Sequence, residues 1–169
     1  MNITVVGQGK LGNVFSLLCE KKGINVFGVE TNKTLLEQLF FKTLKSEEPY
    51  VEEMLRESRM IEYSANLHNG LDFSDSIYCF VATPSKEDNS YSHDYIETVV
   101  KSIYEYYENG NSVEGKTLII NCTTTPLYCQ SLHDRLSTIG MQVFYNPEFI
   151  NIGNIRDGLE NADIVLVGL

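Results

Sequence analysis

The 169-residue sequence has no long hydrophobic run and little positive charge. No apolar stretch reaches the roughly 18 residues that a membrane-spanning helix needs, so we expect no membrane partner. The apolar residues 2–6 follow no basic region and run into a glycine, which indicates a strand and not a signal peptide. Lys and Arg number 13 against 23 Asp and Glu, and the net charge is -10. With no basic cluster, such a chain repels polyphosphate backbones, which argues against a nucleic-acid partner.

Residues that bind metals are also scarce. The chain contains four cysteines, Cys19, Cys79, Cys122 and Cys129. They lie far apart or within apolar runs, and neither a Cys-x-x-Cys pair nor a Cys/His ligand spacing occurs. The three histidines sit in polar surroundings without ligand spacing, so we interpret them as surface residues. We predict no metal and a reducing, cytoplasmic setting.

Short apolar runs alternate with amphipathic stretches along the whole chain. Strands are predicted at residues 3–6, 24–29, 61–64, 76–82, 118–120, 141–145 and 164–167. Helices are predicted at 14–22, 32–40, 49–55, 95–109 and from 126 to 140. Strands that alternate with helices and are apolar on both faces are typical of a parallel sheet covered on each side. We therefore expect one α/β domain over residues 1–169, a Rossmann-type doubly wound and mostly parallel sheet with helices on both faces.

A glycine-rich turn follows the first predicted strand and opens the first predicted helix. Residues 7–12 read Gly-Gln-Gly-Lys-Leu-Gly and match the GxGxxG pattern at the place where that pattern binds a pyrophosphate. The alternative is a turn that happens to contain glycines. Because strand, turn and helix follow in order, we predict a dinucleotide site that includes Gly7, Gly9, Lys10, Leu11 and Gly12.

Glu30 stands at the end of the second predicted strand, 23 residues after Gly7. A carboxylate at this place accepts hydrogen bonds from the ribose hydroxyls of an adenosine and repels a 2′-phosphate. The other reading is an acidic residue in an ordinary capping position before a helix. We predict that Glu30 binds the cofactor, and that this cofactor is NAD in preference to NADP.

Hydroxyl side chains follow two further predicted strands. Thr83-Pro84 comes after residues 76–82, and the run Thr123-Thr124-Thr125 comes after residues 118–120. Rossmann folds bind ligands at the carboxyl ends of their strands, where hydroxyls are useful. Threonine before proline is equally common in turns, so the spacing leaves both interpretations open.

The run Tyr145-Asn146-Pro147-Glu148-Phe149, read together with the glycine turn, resembles the UDP-glucose/GDP-mannose dehydrogenase family. The likeness covers nearly the whole chain. It extends through Gly28-Val29-Glu30, Glu48-Pro49 with the helix that follows, Val81-Ala82-Thr83-Pro84 and Asn161-Ala162-Asp163.

This resemblance implies a four-electron, NAD-dependent oxidation of the alcohol of a nucleotide sugar to a uronic acid, in two hydride transfers, as used in polysaccharide biosynthesis. Thr83 and Pro84 would then lie on the nicotinamide side of NAD. Thr123 would match the active-site threonine of the family, and Glu148 the glutamate that acts through water. A positioned base at this point suits the hydrolysis of a thioester intermediate.

The sequence also departs from the family pattern. The family's catalytic cysteine, lysine and asparagine, with its central and C-terminal domains, fall outside residues 1–169. Leu127 replaces a usual glycine, and residues 150–153 read Ile-Asn-Ile-Gly where the family usually has a leucine, a basic residue, a glutamate and a glycine. We therefore expect a chain that binds NAD but is incomplete for catalysis alone, needing missing domains to bind its nucleotide-sugar substrate.

Two alternatives remain open. The first is a non-catalytic dinucleotide- or nucleotide-binding module that retains the fold, and the second is a Rossmann oxidoreductase acting on a hydroxy acid. The apolar residues 166–169 would lack a cover, which favours weak self-association and leaves a homo-oligomer open.

Overall fold

The computed structural model describes residues 1–168, which contain one six-stranded sheet. The strands are β1 (Asn2–Val6), β2 (Asn25–Val29), β3 (Glu62–Ser64), β4 (Ser76–Cys79), β5 (Thr117–Ile120) and β6 (Gln142–Tyr145). All neighbouring strands are parallel, in the order β3-β2-β1-β4-β5-β6. Because this is the doubly wound strand order, the predicted fold class is confirmed.

Helices cover both faces of the sheet, as expected for strands that are apolar on both sides. The helices are α1 (Lys10–Lys21), α2 (Lys33–Phe40), α3 (Val51–Glu57), α4 (Leu67–Phe73), α5 (Asp94–Glu108), α6 (Tyr128–Leu136) and α7 (Ile155–Glu160). The buried side chains of α1, α2, α3 and α7 form one cluster, and those of α4, α5 and α6 pack in another. No helix in residues 1–168 has both the length and the apolar character needed to cross a membrane.

β1 lies at the centre of the sheet and is buried on both sides. Ile3 and Val5 pack with the side chains of α1, and Val6 packs in the cluster of α4 and α5. Burying a side chain of this size stabilises the fold by about 1.5–3 kcal/mol. The strand that leads into the glycine turn is therefore held firmly in place.

The two halves of the sheet meet between the neighbouring strands β1 and β4. At this point the Gly7 amide donates to the Val29 carbonyl (2.9 Å), and the Phe80 amide donates to the Val6 carbonyl (2.8 Å). The carboxyl ends of three strands are thus joined around one crevice. Ligands of doubly wound sheets bind in this crevice.

The predicted strand at residues 164–167 is wrong. These four apolar residues are exposed and outside any strand, and only Gly168 forms an isolated antiparallel bridge, with Tyr145. An apolar run predicts a strand here, but the segment lies beside β6 at the edge of the sheet without a ladder. The exposed patch expected at residues 166–169 is present at Leu166 and Val167, while Leu169 lies outside the described residues.

Candidate dinucleotide site

The three motif glycines have different surroundings. Gly7 has a φ of +86°, and a Cβ there would lie 2.7 Å from the Phe80 carbonyl oxygen. A Cβ on Gly12 would lie 1.9 Å from the carbonyl oxygen of Gly7, where no atom fits. Around Gly9, by contrast, a Cβ would meet nothing within 4 Å. Gly7 and Gly12 are therefore required by packing, and Gly9 faces open space in front of α1.

The first turn of α1 presents free donors to that space. Gly9 is the N-cap residue and provides no side-chain cap, and the first turn carries no acidic residue. The helical ladder begins with the bond from the Asn13 amide to the Gly9 carbonyl (3.0 Å). Amides before that point, those of Lys10 and Leu11 among them, precede the ladder and point toward the N-terminal end, which favours an anion. The Lys10 ammonium lies 3.2 Å from the carboxylate of Glu47 on the same side.

Glu30 leaves β2 next to the glycine turn. Its Oε2 accepts from the Gln8 amide (2.9 Å) and its Oε1 from the Asn32 amide (2.8 Å). Each carboxylate oxygen has a second lone pair, so the group can still accept two hydroxyls. The carboxylate is partly exposed at the mouth of the crevice.

Gln8 is a functional residue that the sequence did not reveal. The motif leaves this position free, yet its side chain is fully buried. Its Nε2 donates to the Val5 carbonyl (2.9 Å) and its Oε1 accepts from the Ser16 hydroxyl (3.2 Å). Gly28 makes room for Gln8 and for the Tyr63 ring, because a Cβ there would lie 2.6 Å from Tyr63 Cδ1 and 3.1 Å from the Gln8 Cδ. Gln8 thus ties the turn to β1 and α1, and the small residue at Gly28 was the one available signal.

The loops after β4, β5 and β6 bring the other predicted residues to the same edge of the sheet. Thr83 is partly exposed and Pro84 exposed, and the Pro84 carbonyl accepts from the Ser92 amide (2.8 Å). Thr123 and Glu148 each lie three residues beyond the paired Ile120 and Tyr145 of β5 and β6. The residues proposed from the resemblance therefore lie on adjacent loops.

Glu148 is half-buried beside an amide from β5. The Asn121 Nδ2 donates to Glu148 Oε1 over 3.2 Å. Burial raises the pKa of the Glu148 carboxyl above its ordinary value, and the hydrogen bond from Asn121 works in the opposite direction. A carboxyl with a raised pKa is suited to transferring protons near neutral pH.

The segment after Glu148 is held by a second carboxylate. Glu48 is only 4% exposed. Its Oε1 accepts from the Gly153 amide (2.5 Å) and its Oε2 from the Ile155 amide (3.2 Å), at the start of α7. The loop before α3 and the loop after Glu148 are therefore joined through one side chain.

Leu127, at the position where the resemblance implies a glycine, adopts the left-handed conformation with a φ of 66°. Its side chain is exposed, so no packing requires a leucine there. A glycine adopts this conformation without steric cost, whereas leucine is strained in it by about 1 kcal/mol. The loop thus keeps the backbone that the usual glycine allows.

Cys19, Cys122 and Cys129 lack the character of a nucleophile. All four are free thiols. A hydrogen bond with Cys79, together with burial, raises the pKa of Cys122, and burial raises that of Cys129. Burial also raises the pKa of Cys19 to about 11. These groups remain thiols at neutral pH, and a thiol reacts far more slowly than a thiolate.

His93 connects the threonine loop to the start of α5. Its ring stacks on Tyr128 with centroids 3.7 Å apart, and its Nε2 accepts from the Thr125 amide (3.3 Å). It is consequently only partly exposed, and not a free surface residue. The bond from Thr125 requires a neutral ring, because a protonated imidazole has no acceptor.

We expect acid to weaken the fold through His93. Burial and the charge of Lys86 lower the pKa of His93, against the opposing charges of Glu97 and Asp94. The folded state therefore binds fewer protons than the unfolded state below pH ~6.5, so this contribution is complete above that pH and decreases as the pH falls toward the lowered pKa. Urea unfolding at pH 5.5 and 7.5 measures this contribution of His93 to the free energy of unfolding. The stability difference between the two pH values should shrink in His93→Gln, and an equal difference in both proteins would contradict this assignment.

The strand order, the glycine turn and Glu30 at the end of β2 define a dinucleotide-binding Rossmann domain. The sequence profile of the UDP-glucose/GDP-mannose dehydrogenase family, NAD binding domain, matches residues 1–169. The chain belongs to this family, and the cofactor of the domain is NAD.

Curated relatives agree along the whole chain. The UDP-glucose 6-dehydrogenase of Rickettsia felis is 25% identical over 174 residues, which cover 100% of this chain and 38% of the relative. The UDP-N-acetyl-D-mannosamine dehydrogenase of Methanococcus maripaludis is 26% identical over 171 residues, covering 99% of this chain and 38% of the relative. The chain spans about two-fifths of the length of these relatives.

Solved structures share the fold. A GDP-mannose dehydrogenase from Pseudomonas aeruginosa superposes with a TM-score of 0.88 at 22% identity, over 99% of this chain and 41% of that one. A UDP-glucose dehydrogenase from Pyrobaculum islandicum gives a TM-score of 0.85 at 20% identity, over 99% and 40%. Among residues 1–168, no group of three or more His, Cys, Asp or Glu side chains is arranged to hold a metal.

Proposed function

We propose that residues 1–169 form the single NAD-binding domain of a cytoplasmic nucleotide-sugar 6-dehydrogenase that oxidises a sugar-nucleotide alcohol to the uronate for polysaccharide biosynthesis. The observation that carries the proposal is the open space at Gly9, next to free amides and to Glu30. The pyrophosphate of NAD would lie against Gly7, Gly9, Lys10, Leu11 and Gly12.

Each half of the dinucleotide has its own group of residues in this proposal. Glu30 would accept from the adenosine ribose, with its second lone pairs. Thr83, Pro84 and Thr123 would line the nicotinamide side, on the loops after β4 and β5. When bound, NAD supplies the hydride acceptor for each of the two oxidations.

Glu148 and Thr123 are the catalytic residues that we propose for this chain. The raised pKa of Glu148 supports its action through a water molecule, which it would deprotonate to hydrolyse an enzyme-bound acyl group. Thr123 is exposed on the adjacent loop and is free to contact substrate. The chain by itself would bind NAD without turning over a nucleotide sugar, since it spans two-fifths of its relatives.

A nucleotide-binding module without catalysis is the second candidate. It is favoured by residues 150–153, where the resemblance expects a basic residue and a glutamate and the chain has Asn151 and Ile152. Both side chains are exposed, so the substitutions do not serve the core. A protein reconstituted with its remaining domains separates the two candidates, because only the first reduces NAD when UDP-glucose or another nucleotide sugar is added.

We expect calorimetry to show saturable binding of NAD, weaker binding of NADP, and an NAD affinity about tenfold or more lower in Glu30→Ala. The loss follows from the charge-assisted hydrogen bonds to ribose, worth about 1.5–3 kcal/mol. Glu30→Gln keeps one acceptor and the side-chain length, and serves as the control for the bonds to Gln8 and Asn32. Thermal melting of each variant verifies the fold. An unchanged affinity in a folded Glu30→Ala would reject the role of Glu30, and absence of NAD binding by the wild type would reject the proposal.

A further inference from the structure

Asn121 is a polar residue in the interior of the sheet edge. It follows β5 directly and is 3% exposed. Its backbone amide donates to the Cys79 carbonyl (3.0 Å), and its Nδ2 faces three acceptors on the segment after β6. These acceptors are the Asn146 carbonyl (3.0 Å), the Asn146 Oδ1 (3.3 Å) and Glu148 Oε1 (3.2 Å).

The other end of the amide has no partner. The Asn121 Oδ1 is buried and without a hydrogen bond within residues 1–168. A buried acceptor left unpaired is unfavourable, and most such groups in proteins are paired. The cost is difficult to explain if Asn121 only anchors the Asn146 turn, because that task needs the donors alone.

The Asn121 amide is bonded to the Glu148 carboxyl, whose hydrogen-bonding character changes when it takes up a proton. An ionised carboxylate only accepts hydrogen bonds, whereas a protonated carboxyl also donates one. An amide carries both functions on one carbon, and rotation about its last side-chain bond exchanges them. In the arrangement seen, Nδ2 faces the Glu148 carboxylate. After rotation, Oδ1 would accept the proton of the carboxylic acid, and the two bonds from Nδ2 to Asn146 would be given up.

We propose that Asn121 is the positioning residue of Glu148, holding its carboxyl in one place in both protonation states by turning its amide. The inference rests on the proposed function, in which Glu148 takes a proton from water and releases it again. Asn121 touches neither the water nor the cofactor in this scheme and acts through Glu148.

The titratable groups named here around Asn121 and Glu148 stay neutral, so they do not fix the charge of Glu148. Tyr78 of β4 is held neutral, because burial raises its pKa, and the negative charge of Glu148 adds to the effect. The hydrogen bond with Cys79 and burial keep Cys122, next to Asn121, as a thiol. Among these described neighbours Asn121 is the one whose hydrogen bond lowers the pKa of Glu148.

The test follows the Glu148 carboxyl carbon by NMR as the pH of the ¹³C,¹⁵N-labelled chain is varied, with Glu148→Gln to assign the signal. Asn121→Leu removes both the donor to the carboxylate and the acceptor for the carboxylic acid. Because the charge-assisted bond to the carboxylate is the stronger of the two, we expect the Glu148 midpoint to rise, by about one pH unit at most. Asn121→Asp places a second carboxyl at the same distance, and the two should titrate as a coupled pair with an upper midpoint higher still.

Asn146→Ala is the matched control. It removes the Asn146 Oδ1 acceptor and the bond from Asn146 Nδ2 to the Leu166 carbonyl (3.0 Å), but leaves the Asn121–Glu148 contact in place. Its Glu148 midpoint should equal that of the wild type. If Asn121 only anchors the turn, the Glu148 midpoint stays the same in Asn121→Leu and the proposal is overturned.

A wild-type measurement covers the case in which these variants do not fold. The two Asn121 side-chain amide protons should shift with pH at the same midpoint as the Glu148 carboxyl, because their partner changes there. Amide signals that do not move across that midpoint would overturn the proposal. Calorimetry with NAD on the same sample tests the proposed function separately, since loss of NAD binding leaves the Asn121–Glu148 titration intact.

Discussion

Gly12→Ala will leave the chain largely unfolded, whereas Gly9→Val will fold and fail to bind NAD. A methyl group on Gly12 would lie 1.9 Å from the Gly7 carbonyl oxygen, and relieving that overlap separates α1 from β1. We expect a loss of more than ~4 kcal/mol in the free energy of unfolding, which approaches the whole stability of a domain at the low end of the usual range of about 5–15 kcal/mol.

Gly9 offers the opposite case within the same turn. Its backbone, at a φ of -63° and a ψ of -168°, is extended and allows any side chain, and no atom lies within 4 Å of a new Cβ. Its free energy of unfolding should therefore stay within about 1 kcal/mol of the wild type. A valine there would fill the space that the pyrophosphate needs, and NAD affinity should drop about 100-fold.

Urea unfolding and NAD calorimetry on both variants separate stability from binding. A Gly12→Ala protein as stable as the wild type would show that helix and strand are not in contact through these glycines. Unchanged NAD affinity in Gly9→Val would show that the pyrophosphate lies elsewhere.

Glu48→Ala should lower the free energy of unfolding by about 2–4 kcal/mol. The substitution leaves the buried amide of Ile155 without its acceptor, which costs about 1–3 kcal/mol, and it removes the bond to the amide of the exposed Gly153, worth about 0.5–1.5 kcal/mol. Hydrogen exchange of these two amides should accelerate, because the bonds that protect them are gone.

The neighbouring Glu47 provides the control. Its side chain is 90% exposed and pairs only with the Lys10 ammonium. Because exposed ion pairs contribute little, Glu47→Ala should change the free energy of unfolding by no more than about 0.5 kcal/mol. Equal losses for both substitutions would mean that Glu48 stabilises through its charge and not through its two hydrogen bonds.

The sequence predicted the strand-turn-helix unit because its signals are local. A β-branched run, three glycines at fixed spacing and an apolar helical face all fall within residues 3–19. The structure explains the spacing, because a Cβ on Gly7 or on Gly12 would collide with a backbone carbonyl oxygen, so both positions require glycine. Glu30 was equally predictable, because the end of β2 is set by the same pattern.

α4 was not predicted, because its signals are not local. Its sequence contains Gly70 in the middle, which weakens a helix in isolation. A Cβ there would lie 2.5 Å from Thr4 Cγ2, and the Thr4 hydroxyl donates to the Gly70 carbonyl (2.7 Å). The glycine is needed for close packing against β1, a partner 66 residues away that no local pattern reveals.

The polar residues inside the site were missed for a similar reason. Gln8 occupies a variable position of the motif, and Asn121 ends an apolar strand, so each looks unremarkable in the sequence. Their importance lies in partners that only the fold brings together, Ser16 for one and Glu148 for the other. The strand prediction at residues 164–167 was wrong for a different reason. An apolar pattern does not show which part of the structure, if any, covers these residues.

The two backbone bonds of Glu30 affect how the cofactor is captured. Bonds within the protein fix the carboxylate between the Gln8 and Asn32 amides, so the proposed ribose-binding group and the proposed pyrophosphate turn form one preorganised unit. Little conformational entropy of the protein is then lost on association. The unfavourable part of the binding free energy comes mainly from the translational, rotational and internal freedom that the ligand loses. We therefore expect the backbone of this site to move little when the cofactor binds.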